Sequence, residues 1–162
     1  MGAGRGRRGG AGGAPLISRA SGDDVDTLRA LFREYFAWLG ADGWFVDAEA
    51  KLTALPDGYE TILLAREGAE VIGCVALRPL EDGVCEMKRL YVRPVGRGAG
   101  AGRALVEAIV EEARRLGYRT MRLDTLPTMG AAQALYRSLG FAETARYNDN
   151  PIPGVLFFEL TL

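Results

Sequence analysis

The sequence has no histidine, only two cysteines and no long apolar run. Without histidine there is no Ser-His-Asp triad, no Cys-His dyad and no HExxH zinc motif. Two thiols alone also argue against a structural zinc site. Acid-base work therefore falls to carboxylates, tyrosine, lysine or cysteine. No stretch approaches the roughly 20 apolar residues that a membrane span needs. Excess charge is absent as well: the formal net charge is −1. Its distribution is uneven, because residues 1–14 read MGAGRGRRGGAGGA and carry three arginines and no hydrophobic block. Such a segment cannot pack and lacks the core of a secretory leader, so 1–14 is expected to be a disordered Gly/Arg-rich tail. With those arginines set aside, residues 15–162 carry a mildly acidic balance, which argues against a dedicated nucleic-acid binder. Apolar content of 48% with 25% charged residues describes one globular domain, 15–162, large enough to build a core without disulfides.

The periodicity predicts the order β-α-α-β-β-β-α-β-α-β-β. Pro15 to Ala20 reads as a first strand. Val25, Leu28, Leu31, Phe32, Tyr35, Phe36 and Leu39 recur at helical spacing, with Ser21 before them and Gly40 after. A weaker helix runs from about Asp47 to Leu55. Thr61 to Arg66, Val71 to Leu80 and Val84 to Val92 are strands joined by short turns at Glu67-Gly68 and Asp82-Gly83, hence antiparallel neighbours. A helix to about Leu116 is expected to bury Ala101, Ala104, Leu105, Ala108, Ile109, Ala113 and Leu116. Tyr118 to Thr125 is a strand. The next helix follows Pro127-Thr128 and shows Ala132, Leu135, Tyr136 and Leu139 on its apolar face. Strands at Phe141 to Tyr147 and Val155 to Leu162 close the chain around the loop NDNPIPG. A meander followed by helical crossovers is a mixed α/β sheet.

The cysteines are tested against this map. A turn at Asp82-Gly83 sets Leu80 opposite Cys85, which leaves Cys74 roughly 20 Å away at about 3.3 Å per residue. A disulfide needs Cα atoms within about 7 Å. Free thiols are expected, as suits a reducing cytoplasm.

The densest signal is YVRPVGRGAGAGRAL, Tyr91 to Leu105, with glycines at 96, 98, 100 and 102. A plain connection does not demand four glycines. A dinucleotide fingerprint is the second reading, because Gly96-x-Gly98-x-x-Ala101 fits G-x-G-x-x-G/A and Asp124 ends the next strand. Its context fails. The preceding strand carries Glu86, Lys88 and Arg89, where a first dinucleotide-fold strand is apolar on both faces. The third reading needs only local physics: free N–H groups at a helix N-terminus, glycines that admit phosphate close to the backbone, and Arg97 and Arg103 for charge-assisted contacts.

Arg97-Gly98-Ala99-Gly100-Ala101-Gly102 resembles the R/Q-x-x-G-x-G/A signature of GNAT-type N-acetyltransferases. EMKRLYV, the V-x-P turn, RALVEAIVEEARRLGY and ALYRSLGF are similar to that superfamily in order and spacing, from Leu16 to Leu162. The resemblance implies a single-domain, mostly antiparallel sheet flanked by helices, and acetyl-CoA as cosubstrate with no metal. It implies an acyltransferase that moves an acetyl group from CoA to a primary amine by direct attack. The main chain at Leu90, Tyr91 and Val92 then pairs with the pantetheine arm, and the amides from Arg97 through Gly98, Ala99, Gly100, Ala101 and Gly102 to Arg103 hold the pyrophosphate. Tyr136, in the LYxxxGF string, becomes the acid that protonates the leaving thiolate, although its place on an apolar stripe also fits a core role. Glu86 becomes the candidate base, with a bound water or a backbone group as the alternative. One departure stands out: Met129 occupies a position where the family often has Asn. The acceptor is expected to be a small amine or a peptide amine, met by Tyr35, Trp38, Asp42, Trp44, Phe45, Asp47 and the NDNPIPG loop. The chain is expected as a monomer or homodimer, with no membrane or nucleic-acid partner.

Overall fold

The computed structural model describes residues 13–40 and 48–162. Residues 1–12 of the expected tail lie outside them, as do Asp42, Trp44, Phe45 and Asp47. The elements run β1 (Leu16–Arg19), α1 (Val25–Leu39), α2 (Ala48–Ala54), β2 (Thr61–Glu67), β3 (Glu70–Glu81), β4 (Val84–Val92), α3 (Ala101–Arg115), β5 (Thr120–Thr125), α4 (Gly130–Ser138), β6 (Ala142–Thr144) and β7 (Leu156–Thr161). The order is the one expected from periodicity. The strands form one sheet ordered β1-β2-β3-β4-β5-β7-β6. Among the described strands only β4 and β5 run parallel, because α3 carries the chain back across the sheet between them.

The two faces of the sheet are packed separately. α3 covers one face: Leu105, Val106, Ile109 and Val110 meet Ile72, Val75, Leu77 and Met121 there. Truncating a fully buried leucine such as Leu105 to alanine costs about 2–5 kcal/mol. α1 and α2 cover the other face with Leu28, Leu31, Phe32 and Leu52 against Leu64, Cys74 and Ala76. α1 stops at Gly40, whose φ of +63° is the left-handed conformation of a helix C-terminus.

Several local expectations are corrected. The buried stripe of α3 includes Val106 and Val110, while Ala104, Ala108 and Leu116 are only partly covered. The sheet is wide enough to bury a broader arc of the helix than the alanines marked. On α4 the buried residues are Gln133 and Tyr136, and Gln133 Nε2 donates to the Leu126 carbonyl at 2.9 Å. The strand after Phe141 is shortened to Ala142–Thr144, because Tyr147 and Asn148 turn inward to bond acidic side chains. In the β3-β4 hairpin Cys85 faces Pro79 rather than Leu80, since one residue is bulged out near the turn. Cys74 and Cys85 remain far apart and are free. Burial pushes both thiols up to about 12, which removes them as nucleophiles near neutral pH. Among the described residues no helix is long and apolar enough to cross a membrane.

Candidate active site

β4 and β5 are paired only at their starts. Val84, Cys85 and Glu86 lie beside Thr120, Met121 and Arg122, and beyond Glu86 the strands part. The other edge of β4 stays on β3, where Tyr91 faces Cys74 and Lys88 faces Ala76. Between those two pairs β4 has one residue more than β3. This is a β-bulge, and Arg89 within it has a φ of +59°. β3 comes close at this point: a Cβ on Gly73 would lie 2.7 Å from the Tyr91 carbonyl oxygen, so only glycine fits.

The bulge changes the parity of the strand. Cys85 and Met87 face the α3 core, and so do Leu90 and Val92 after it. Lys88 and Arg89 are consecutive yet line the same polar recess. Arg89 is held there by the Tyr59 hydroxyl at 3.2 Å and lies 5.0 Å from the centroid of the Phe36 ring.

The gap between the diverging strands is a cavity of about 420 Å³. Met87 to Val92 of β4 and Leu123 to Thr125 of β5 form its sides, Leu135 and Tyr136 of α4 close it, and Tyr35 and Trp38 of α1 stand opposite. Leu90, Tyr91 and Val92 are thus brought to the cavity. Met129, the departure from the family pattern, also lines it.

The glycine loop lies at one end, with Arg97 and Gly102 in the lining. Its glycines serve different ends. Gly98 and Gly100 have φ of +83° and +80° with nothing within 4 Å of an added Cβ, so backbone conformation demands them. Gly96 is demanded by packing, since a Cβ would sit 2.9 Å from Ile72. Gly102 has room for a Cβ, with Leu135 at 3.7 Å. The α3 ladder begins with the Ala104 N–H bonded to the Gly100 carbonyl at 3.0 Å. The N–H groups of Ala101, Gly102 and Arg103 accordingly have no acceptor inside the helix. The Arg97 N–H is less available, because it donates to the Pro94 carbonyl at 3.3 Å. The arginine side chains are also engaged. Arg97 Nε donates to the Val92 carbonyl at 2.9 Å and its guanidinium lies over Trp38, while Arg103 bonds Ser138 Oγ at 2.8 Å.

Tyr136 is 5% exposed and packs against Phe141 and Phe158, with centroids 5.7 Å and 6.2 Å away. Burial, reinforced by Tyr35 and the Asp124 charge, pushes its hydroxyl well above the ordinary tyrosine range. It is therefore protonated at neutral pH. Core packing and a place in the cavity wall are both true of it.

Glu86 is fully buried but is not part of the cavity lining. Its Oε1 accepts from Arg78 Nε at 2.6 Å, and its Oε2 accepts from the Tyr147 hydroxyl and lies 3.5 Å from Lys88 Nζ. The carboxylate that does line the cavity is Asp124. Lys88 Nζ bridges the two acids, at 3.3 Å from Asp124 Oδ1. Asn148 and Asn150, from the loop before β7, donate to Asp124 Oδ2 at 2.8 and 3.2 Å. Burial pushes the Asp124 carboxyl up, but Lys88 and the two amides outweigh it and hold the group below its ordinary value. Asp124 was visible in the sequence only as a strand-end acid. Its partners lie some 24 to 36 residues away, beyond any local pattern.

An open strand edge, a helix N-terminus and a buried phenol meet at one cavity. The chain also matches the model of the acetyltransferase (GNAT) family over residues 25–141. The chain belongs to the GNAT acetyltransferase family. An uncharacterized N-acetyltransferase of Schizosaccharomyces pombe is 41% identical over 147 residues, covering 86% of this chain and 89% of that one. A Klebsiella pneumoniae protein assigned as an acyl-CoA N-acyltransferase superposes with a TM-score of 0.76 at 30% identity, over 91% of this chain and 97% of the other. A Salmonella typhimurium protein assigned as an acetyltransferase, solved with its cofactor acetyl-CoA, superposes with a TM-score of 0.73 at 25% identity, over 92% and 94%. The residues around the cavity of this GNAT acetyltransferase fit acetyl-CoA. The α3 N-terminus suits a pyrophosphate, the open β4 edge suits an amide-bearing arm, and the buried Thr125 Oγ1 has no hydrogen-bond partner among the described residues.

Proposed function

We propose that the protein transfers the acetyl group of acetyl-CoA to a primary amine by direct attack. The observation that carries this reading is the convergence of the unpaired β4 edge, the α3 amides and Tyr136 on a single cavity. In this reading the main chain of Leu90, Tyr91 and Val92 holds the pantetheine arm as an added strand. The amides of Gly98 to Arg103 hold the pyrophosphate, with the Arg97 guanidinium guarding the mouth over Trp38. A main-chain N–H near Leu90 steadies the charge that develops on the thioester oxygen.

The chemistry needs two proton movements. The amine nitrogen bonds the acetyl carbon, the carbon–sulfur bond breaks, and the thiolate takes the Tyr136 proton. The proton that the nitrogen gives up passes to water. Glu86 is surrounded by its own partners, so its proposed part is to fix Lys88. Asp124 has a depressed pKa, which makes it a weak proton acceptor and a good counter-ion for an ammonium group.

The test is release of free thiol from acetyl-CoA over a panel of amines and peptides. Turnover above thioester hydrolysis with at least one acceptor is expected. Binding of acetyl-CoA without turnover of any acceptor would sink the reading.

A further inference from the structure

Thr125 is the last residue of β5 and lines the cavity. It is only 5% exposed, and its Oγ1 has no hydrogen-bond partner among the described residues. A buried hydroxyl left unpaired costs stability, so native interiors pair nearly all of theirs. Strand propensity does not ask for this one, because valine has the same branched shape and no hydroxyl to bury.

The fold indicates what would pair it. Side chains alternate along β5, and Met121 and Leu123 point into the α3 core. Thr125 continues that face, on which Tyr136 also lies. Asp124 turns the other way, to Lys88, Asn148 and Asn150. Around Thr125 the cavity wall is apolar, built from Leu123, Leu126, Met129 and Leu135. The level along the strand matters too. β4 and β5 pair Glu86 with Arg122 before they part. Carried on, that register brings Thr125 level with Arg89, and the bulge of β4 brings it level with Leu90. Thr125 thus stands across the gap from the β4 edge that holds the arm in the acetyl-CoA reading.

An arm that pairs with β4 on one side turns its remaining amide groups toward β5, where an apolar wall would leave them unpaired. A hydroxyl both donates and accepts, so it suits an amide N–H or carbonyl. We infer that Thr125 is a binding residue for the acyl-CoA arm, its hydroxyl hydrogen-bonding an arm amide from the β5 side of the gap. One rotation about Cα–Cβ exchanges hydroxyl and methyl and turns Oγ1 to the ligand. This rests on the acetyl-CoA reading above and adds a residue to it.

The test is calorimetric titration of CoA, and of the phosphoadenosine diphosphate half of CoA that lacks the arm. Thr125→Val is expected to raise the Kd for CoA about ten-fold and to leave that of the nucleotide half unchanged. Without ligand its Tm is expected to equal or exceed the wild-type value, since a methyl replaces an unpaired hydroxyl. Thr125→Ser keeps the hydroxyl and is expected to hold CoA within about three-fold of wild type. Affinity and stability thus move apart, which a structural hydroxyl would not produce. An unchanged Kd for CoA in Thr125→Val overturns the inference and leaves acetyl transfer standing. Equal weakening of the nucleotide half, a Tm lowered by several degrees, or a serine variant as weak as the valine one also overturns it. A wild-type protein that fails to bind CoA overturns the acetyl-CoA reading as well.

Discussion

Tyr136 is protonated because burial disfavours its phenolate, and the same burial places it in the cavity wall. Replacement by phenylalanine removes one oxygen and keeps the ring contacts with Phe141 and Phe158. Tyr136→Phe is expected to lower kcat about 100-fold, the low end of general-acid effects, with KM for acetyl-CoA and Tm nearly unchanged. Steady-state kinetics at saturating acceptor, with single-turnover rates to isolate chemistry, checks this, and an unchanged chemical rate would remove Tyr136 as the acid. Gly100 makes a separate prediction. Its φ of +80° is costly for an L-residue by about 1–2 kcal/mol. Gly100→Val is expected to raise the Kd for acetyl-CoA roughly ten-fold by displacing the amides at the start of α3, measurable by titration calorimetry. Tyr136 and the glycines were legible because short motifs carry them. Asp124, Lys88 and Arg89 were not, since their shared site depends on a bulge and on amides from a distant loop.

At the scale of elements, the sheet and its covering helices are tied by acids that bridge them. Glu112 of α3 bonds Arg115 at 2.8 and 3.0 Å, pairs with Arg19 of β1, and accepts from Thr61 Oγ1 of β2 at 3.3 Å. The Arg115 hydrogen bonds, against an opposing effect of burial and with help from Arg19, hold its carboxyl down at about 2, below the ordinary 4.5. A carboxyl depressed in the folded state stabilises fully above its unfolded pKa and loses that contribution as pH falls. Tm is therefore expected to be flat from pH 7 to about 5, then to fall toward pH 2. Glu112→Gln is expected to have a lower Tm at pH 7 and a shallower acid slope, measured by calorimetry across that range. Glu86→Ala is expected to cost about 3 kcal/mol, because it leaves the Tyr147 hydroxyl and Arg78 without their carboxylate and Lys88 with Asp124 alone, and empties a fully buried position. Urea unfolding measures it, and a loss below 1 kcal/mol would contradict that structural role. Element existence was legible from periodicity and turn residues. The length of β6 and the buried arc of α3 were not, because side-chain partners across the sheet set them.

At the scale of the molecule, ligand binding is a stability statement. If acetyl-CoA binds the folded chain alone, a concentration of 100 times Kd adds about 2.7 kcal/mol. For a chain of this size that is a Tm rise of roughly 5–10 °C. NAD is expected to give none, and a thermal-shift titration separates the two. A rise with NAD but not acetyl-CoA would overturn acetyl-CoA as the cosubstrate. The sequence by itself determined the absence of histidine chemistry, the order of elements, the glycine loop and the tyrosine that follows it. Each of these is local, carried by composition, by periodicity or by a run of fewer than twenty residues. Tertiary structure decided where β4 leaves β5, which acid reaches the cavity, and that two neighbouring cations share one face. Those outcomes arise from strand pairing and a one-residue bulge, whose energies are settled between segments far apart in the chain.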